Sequence, residues 1–196
     1  MSGGGFDQRV AAIEAVVIGA SAGGVEALSV LLPEVRSSTR AAILIVLHIP
    51  RERESLLAKI FAPRCALTVK EAEDKEPILP GTVYFAPPDY HLQVDDGPRV
   101  SLSYDDPVNW SRPSIDVLFS SAADAYGSRV MGMLLTGGNQ DGAAGLDAIR
   151  KAGGVTVVED PASALCPSMP SEALRLGQPD LVAGLSAMKS VMRAIP

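Results

Sequence analysis

The chain has 196 residues, 47% apolar and 20% charged, enough for one filled core and short for two independent ones. A net charge of -6 opposes a nucleic-acid partner, whose binding rests on neutralising phosphates with Lys and Arg, and 5% aromatic residues leave little for base stacking. Two cysteines, Cys65 and Cys166, lie far apart and outside any C-x-x-C spacing, which argues against a disulfide scaffold or a zinc or redox motif and suits a reduced, cytoplasmic setting.

Residues 1–14 carry glycines but no basic stretch followed by an apolar one, so they read as a flexible end rather than a secretory signal. Residues 15–196 then form a single domain. Continuous apolar runs follow: AVVIGA, AAILIVL, the YFAP region, VMGMLL and GVTVV, each bounded by Gly, Pro or charge. Such runs suit strands buried on both faces of a parallel sheet. The longest, 41–47, is far below the ~20 residues of a membrane helix, so the protein is not expected to be membrane-embedded.

Between the runs, apolar residues three and four apart predict helices. Val25, Leu28, Leu31 and Leu32 mark one over 24–35, and Leu56, Leu57 and Ile60 mark another over 54–61. Others are predicted over 114–126, 143–152 and 171–176. The alternation defines an α/β fold with a mostly parallel, doubly wound sheet flanked by helices. Residues 66–104 differ. LTVKEAED, TVYFAP, YHLQVD and RVSLSY are short β-rich pieces broken by Gly and Pro, and predict hairpins added at an edge.

The first run leads into VVIGASAGGVEAL, which matches two signatures. From Gly19 to Gly24 it approaches the G-x-G-x-x-G of a dinucleotide-binding turn, and from Gly19 to Gly23 it fits the G-x-S-x-G of a nucleophile elbow. The dinucleotide reading needs a glycine where Ser21 stands, so that backbone can approach a pyrophosphate, and an acidic residue after the second strand, where His48 stands. Strand ends in a parallel sheet share one edge, which puts a serine beside a histidine.

A serine needs an imidazole to take its proton and a carboxylate to orient that imidazole. Asp141, after the VMGMLL strand and before a helix, is the candidate third member. The chain order Ser21, His48, Asp141 differs from that of the α/β-hydrolases. Each residue also has a plainer reading: Ser21 as a helix cap, His48 as a strand-end surface residue, and Asp141 as a carboxylate favoured at a helix N-terminus. His91 is the other histidine and reads as structural or substrate-facing. Asp89, Asp147 and Asp160 compete with Asp141. Met131 and Met133 read as core, and Asp105-Asp106 near Trp110 as a solvated turn rather than a metal or glycosidase site. No metal or cofactor is implied.

IGASAGG, LHIP, FAPPDYHL, RPSIDVLFSS, LLTGGNQDGAAGL, AGGVTVVED and SMPSEAL, in that order over roughly 15–185, together resemble the catalytic domain of the chemotaxis protein-glutamate methylesterases, the CheB-type methylesterases. The resemblance implies hydrolysis of γ-glutamyl methyl esters on the cytoplasmic helices of chemoreceptors in chemotaxis adaptation, and deamidation of receptor glutamines. Its catalytic Ser, His and Asp fall on Ser21, His48 and Asp141.

Two positions depart from the family pattern. Ala22 replaces the usual threonine, and Gly138 replaces the methionine of T-G-M-G. Both neighbour the family's active site and are assigned to substrate binding, as is Arg112, expected to pair with a receptor carboxylate unless it is only an exposed solubilising charge. The family's usual full-length form places a receiver domain before the catalytic one, and this chain starts near the first catalytic strand. The expectation is therefore control by a separate response regulator, or constitutive activity. The alternative to an esterase is a module of this fold that binds in a chemosensory complex with little or no turnover.

Overall fold

A computed structural model of the protein describes residues 3–49 and 55–196. Nine strands and seven α-helices make up the described chain, strand and helix alternating except where β3 to β6 follow one another. The strands are β1 (Ala15–Ala20), β2 (Ala42–Leu47), β3 (Thr68–Glu71), β4 (Thr82–Phe85), β5 (His91–Asp95), β6 (Arg99–Ser103), β7 (Val130–Leu134), β8 (Val155–Glu159) and β9 (Leu181–Ala183). The helices are α1 (Gly3–Val10), α2 (Gly24–Leu31), α3 (Leu57–Phe61), α4 (Ile115–Tyr126), α5 (Ala143–Lys151), α6 (Ser168–Leu176) and α7 (Leu185–Ala194).

Seven strands form one sheet in the order β3-β4-β2-β1-β7-β8-β9, and every pairing in it is parallel. Every residue of β1, β2, β4, β7 and β8 is buried, as continuous apolar runs require. Successive side chains go to opposite faces. Val16 and Ile18 join a core with Leu28 and Leu31 of α2, Phe61 of α3, and Met188 and Met192 of α7. Ala15 and Val17 join another with Leu118 and Phe119 of α4, Ile149 of α5 and Met169 of α6. The result is a doubly wound three-layer α/β fold. Met131 and Met133 are fully buried, as core residues.

The β-rich stretch divides in two. β5 and β6 make the expected hairpin, a separate antiparallel sheet whose Leu92, Val94 and Val100 pack into the α4 core. β3 and β4 instead extend the main sheet in parallel. The helix predicted over 24–35 ends at Leu31 and tightens into a 3-10 turn at Leu32–Glu34, where Pro33 sits. Of the helix predicted over 54–61, Leu57–Phe61 is observed, and Glu54 lies outside the described residues.

Residues 3–10 do not match the expected frayed end. Three glycines disfavour a helix locally, but tertiary contacts override them. Phe6 packs on the core, Val10 is buried, and the Arg9 guanidinium donates to Asp180 and to the Gly154 carbonyl, each at 2.6 Å. Among the described residues no helix is long and apolar enough to cross a membrane.

Candidate active site

The chain leaves β1 in one direction across the sheet, through β2 and β4, and returns to place β7 on the other side of β1. The crevice beyond the carboxyl ends of β1 and its neighbours is thus a topological switch point, where open α/β sheets bind ligands. Ala20 pairs with Leu47 in the last rung, so Ser21 and His48 are each one step beyond a matched pair. The His48 N–H donates to the Ala20 carbonyl at 3.1 Å, and the Ser21 N–H donates across to the Thr136 carbonyl at 2.9 Å.

Ser21 does not cap α2. The cap is Gly23, in the left-handed region at φ 84°, and no side chain bonds the helix terminus. The turn closes through the Gly24 N–H to the Ser21 carbonyl at 2.8 Å. Gly137 lets the loop after β7 run against this turn. A Cβ there would overlap buried Met169 and stand 3.1 Å from Ser21 Cβ. Gly137→Val is therefore expected to displace the serine and overpack Met169, costing ~1–3 kcal/mol in denaturant unfolding and lowering turnover by more than that loss of folded protein explains.

His48 Nε2 stands 3.0 Å from Asp141 Oδ2. The imidazole is 14% exposed and the carboxylate fully buried. Nε2–H donates to the carboxylate, which leaves Nδ1 as the basic nitrogen. Asp141 also accepts from Ser114 Oγ (2.7 Å), the Ile115 N–H (2.7 Å), the Asp116 N–H (3.1 Å) and Asn109 Nδ2 (3.1 Å). Burial pushes its pKa up, but the bonds from His48, Ser114, Ile115 and Asn109 outweigh that and hold it below the usual carboxylate value. The plain reading of Asp141 as a helix N-terminal carboxylate holds, on a different helix than expected. Asp141 sits at the N-terminus of α4, not only ahead of α5, and that positive end helps keep it ionised.

The competing carboxylates are engaged elsewhere. Asp89 pairs with Arg112, Asp147 with Arg150 and Lys151, and Asp160 accepts from Ala162 in its own turn. His91 is buried, and both ring nitrogens are occupied. Nδ1 accepts from the Ser114 N–H at 3.1 Å, and Nε2–H donates to the Asp106 carbonyl at 3.2 Å. It fixes the entry to α4 and is structural. Among the described residues, no hydrogen bond links Ser21 Oγ to the imidazole, so the structure brings together two of the three candidates by direct contact and the third by strand register.

Arg112 is neither exposed nor unpaired. Its side chain is 8% exposed. Nε and Nη2 donate to Asp89 Oδ1 at 3.0 and 2.9 Å, Nη1 donates to the Tyr104 and Asp105 carbonyls, and the guanidinium lies 3.7 Å over the Tyr104 ring. It lines a cleft with His48, Ile49, Trp110, Ser111 and Pro113. Ala22 is exposed, and a side chain at position 138 would meet nothing within 4 Å. Asp105 and Asp106 are exposed, as a solvated turn requires. Among the described residues no group of three or more His, Cys, Asp or Glu is placed to hold a metal ion.

Sequence reasoning missed Asn109 and Ser114. Asn109 (φ 50°) and Trp110 (φ 63°) form the two central residues of a tight turn closed by two backbone bonds between Val108 and Ser111. Asn109 points its amide inward to Asp141 and Asp116, and Trp110 stands 97% exposed at the cleft rim. Left-handed turns of this kind favour Asn-Gly, and the tryptophan in the glycine's place hides the signal. A roomier pocket between Ile13, Arg40, Ile78 and Tyr126 lies at the opposite edge, by the strand starts, away from these groups.

Fold and site together define an α/β protein with a serine, a histidine and a buried carboxylate placed at the carboxyl edge of a parallel sheet. The family model described as CheB methylesterase matches residues 16–192. A Leptospira interrogans protein, 43% identical over 172 residues that cover 88% of this chain and 89% of its own, carries the name protein-glutamate methylesterase/protein-glutamine glutaminase as a provisional assignment. A Bordetella avium protein-glutamate methylesterase/protein-glutamine glutaminase is 45% identical over 91% of this chain, which spans 52% of that relative's length. The crystal structure of the Thermotoga maritima CheB methylesterase catalytic domain superposes with a TM-score of 0.88 at 32% identity, covering 94% of this chain and 99% of that one. The chain belongs to the CheB methylesterase family.

Proposed function

We propose that this chain hydrolyses methyl esters of glutamyl side chains on chemoreceptors, in chemotaxis adaptation, and deamidates receptor glutamines by the same route. The observation that carries this reading is the bond from His48 to the buried Asp141, one strand from Ser21, in a chain whose relatives carry the names of both activities.

Ser21 Oγ attacks the ester carbonyl while His48 Nδ1 takes its proton, Nε2–H being held by Asp141. The imidazolium, stabilised by Asp141, then protonates the departing methanol. A water molecule, deprotonated by the same nitrogen, opens the acyl-serine and releases the glutamate carboxylate. In deamidation ammonia leaves instead of methanol. The Gly137 N–H already donates to the Cys166 carbonyl at 3.0 Å, so the oxyanion donors are sought at the Ala22-Gly23 turn or at Gly138.

Substrate contacts are assigned to Ala22 and Gly138, where the surface is open, and to Arg112 as a rigid wall of the cleft. The Arg112–Asp89 pairing supports positioning of the cleft more than capture of a receptor carboxylate.

The test is methanol release from a methylated receptor cytoplasmic fragment, with ammonia release from its unmodified glutamines measured in parallel. Time-dependent methanol release is expected. A folded protein that releases none would leave the binding-module reading, which the unformed bond between Ser21 and His48 favours.

A further inference from the structure

Thr136 is the first residue of the loop after β7 to meet the Ser21 turn, and each of its polar groups has a partner. Its carbonyl accepts from the Ser21 N–H at 2.9 Å, and its hydroxyl donates to the Ala22 carbonyl at 2.8 Å. The same hydroxyl accepts from the Cys166 N–H at 2.9 Å. Its own N–H donates to Glu159 Oε2 at 2.8 Å, at the end of β8. Thr136 and Glu159 are 2% and 1% exposed.

One residue thus clamps the nucleophile on both sides, through the amide before Ser21 and the carbonyl after Ala22. A trans peptide is planar, with its C=O and N–H pointing opposite ways. Pinning the Ala22 carbonyl toward Thr136 therefore turns the Gly23 N–H away from Thr136, and among the described residues that N–H makes no backbone bond. It is then available to a developing oxyanion.

We infer that Thr136 and Glu159 are positioning residues for the nucleophile: the Thr136 hydroxyl sets the direction of the turn peptide after Ser21, and Glu159 anchors Thr136 through its N–H. The inference rests on the reading of Ser21 as nucleophile. Glu159 is a buried carboxylate that the proposed mechanism leaves unused. Burial pushes its pKa up, and the Thr136 N–H acts against that shift. Among the described residues the Thr136 N–H is the donor this buried acid holds.

The experiment uses a fluorophosphonate, which phosphonylates an activated serine with loss of fluoride, with the labelled peptide identified by mass spectrometry. Thr136→Val, which keeps shape and removes the hydroxyl, is expected to label Ser21 roughly tenfold more slowly, about the worth of one hydrogen bond. Thr136→Ser should return to within about threefold of the parent. On methyl ester substrate, kcat should fall in Thr136→Val with KM little changed. Glu159→Gln, which keeps an acceptor for the Thr136 N–H, should label near the parent rate, and Glu159→Leu more slowly.

Equal labelling of Thr136→Val and the parent, or a Thr136→Ser as slow as Thr136→Val, overturns the inference. If Thr136→Val does not fold, the Glu159 pair decides: Glu159→Leu at the parent rate overturns it, and a slow Glu159→Leu beside a normal Glu159→Gln supports it. A parent protein unlabelled at Ser21 removes the nucleophile assignment and the positioning role together, whereas a labelled parent with indifferent variants removes only the latter.

Discussion

Ser21→Ala is expected to lower methyl ester hydrolysis by about 10³–10⁶-fold, leaving only what binding and oxyanion donors supply. The fold should hardly register the change. Among the described residues Ser21 Oγ has no hydrogen-bond partner, the side chain is half-buried, and the turn is held by backbone bonds through the Ser21 N–H and carbonyl, which alanine retains. The expected cost is within about 0.5 kcal/mol, the usual range for a change that breaks no named contact. Circular dichroism and thermal unfolding beside methanol release separate the two quantities. Retained turnover in a folded Ser21→Ala protein would remove Ser21 as the nucleophile.

Asp141→Asn is expected to damage both chemistry and stability. Asp141 Oδ1 accepts from Ser114, Asp116 and Asn109, and Oδ2 from His48 and Ile115. An asparagine keeps its oxygen best on the side of the three donors. Its NH₂ then faces the Ile115 N–H, leaving that donor unpaired at a cost of ~1–3 kcal/mol. The same NH₂ donates to His48 Nε2, which moves the imidazole proton to Nδ1, the nitrogen needed as base. Tautomer reversal of this kind lowers turnover by about 10⁴-fold in a serine protease, and a comparable loss is expected here.

The pH dependence has a definite sign. The native carboxyl of Asp141 titrates below its ordinary value of 3.8, so its contribution to stability is complete above that value and is lost as pH falls through the lower native one. Denaturant unfolding at pH 7 and at successive steps below pH 4 should show a steeper acid loss in the parent than in Asp141→Asn. Parallel curves would mean that the carboxylate is not held as described.

The central strands were legible because burial on both faces leaves an unbroken apolar run, and Ser21 and His48 because each stands one residue past such a run. Other features were hidden by long-range packing. Asn109 and Ser114 precede Asp141 by 32 and 27 residues. Only the fold-back of the 108–111 turn and the docking of α4 bring them to it. β3 and β4 are four residues each, too short for pattern to tell a hairpin from parallel edge strands. α7 was overlooked although Met188, Val191 and Met192 carry a helical spacing, and α1 was obscured by glycines whose cost Phe6 and Val10 offset by packing. Arg112 looked like a surface charge because Asp89, its partner, is 23 residues away.

The order of strands across the sheet also has a consequence for biosynthesis. β1 has β2 on one side and β7 on the other, with Ala15 matched to both Ala42 and Val130. Pairings so distant in sequence form late and slowly, because loop closure must precede any reward from contact. A nascent chain emerging from the ribosome can zip β1 to β2 early, but the half of the crevice that brings Asp141 and Thr136 is made only after residue 130. Ser21 and His48, the proposed nucleophile and base, therefore wait at the ends of β1 and β2, and the growing polypeptide should remain without esterase activity until its last third has docked.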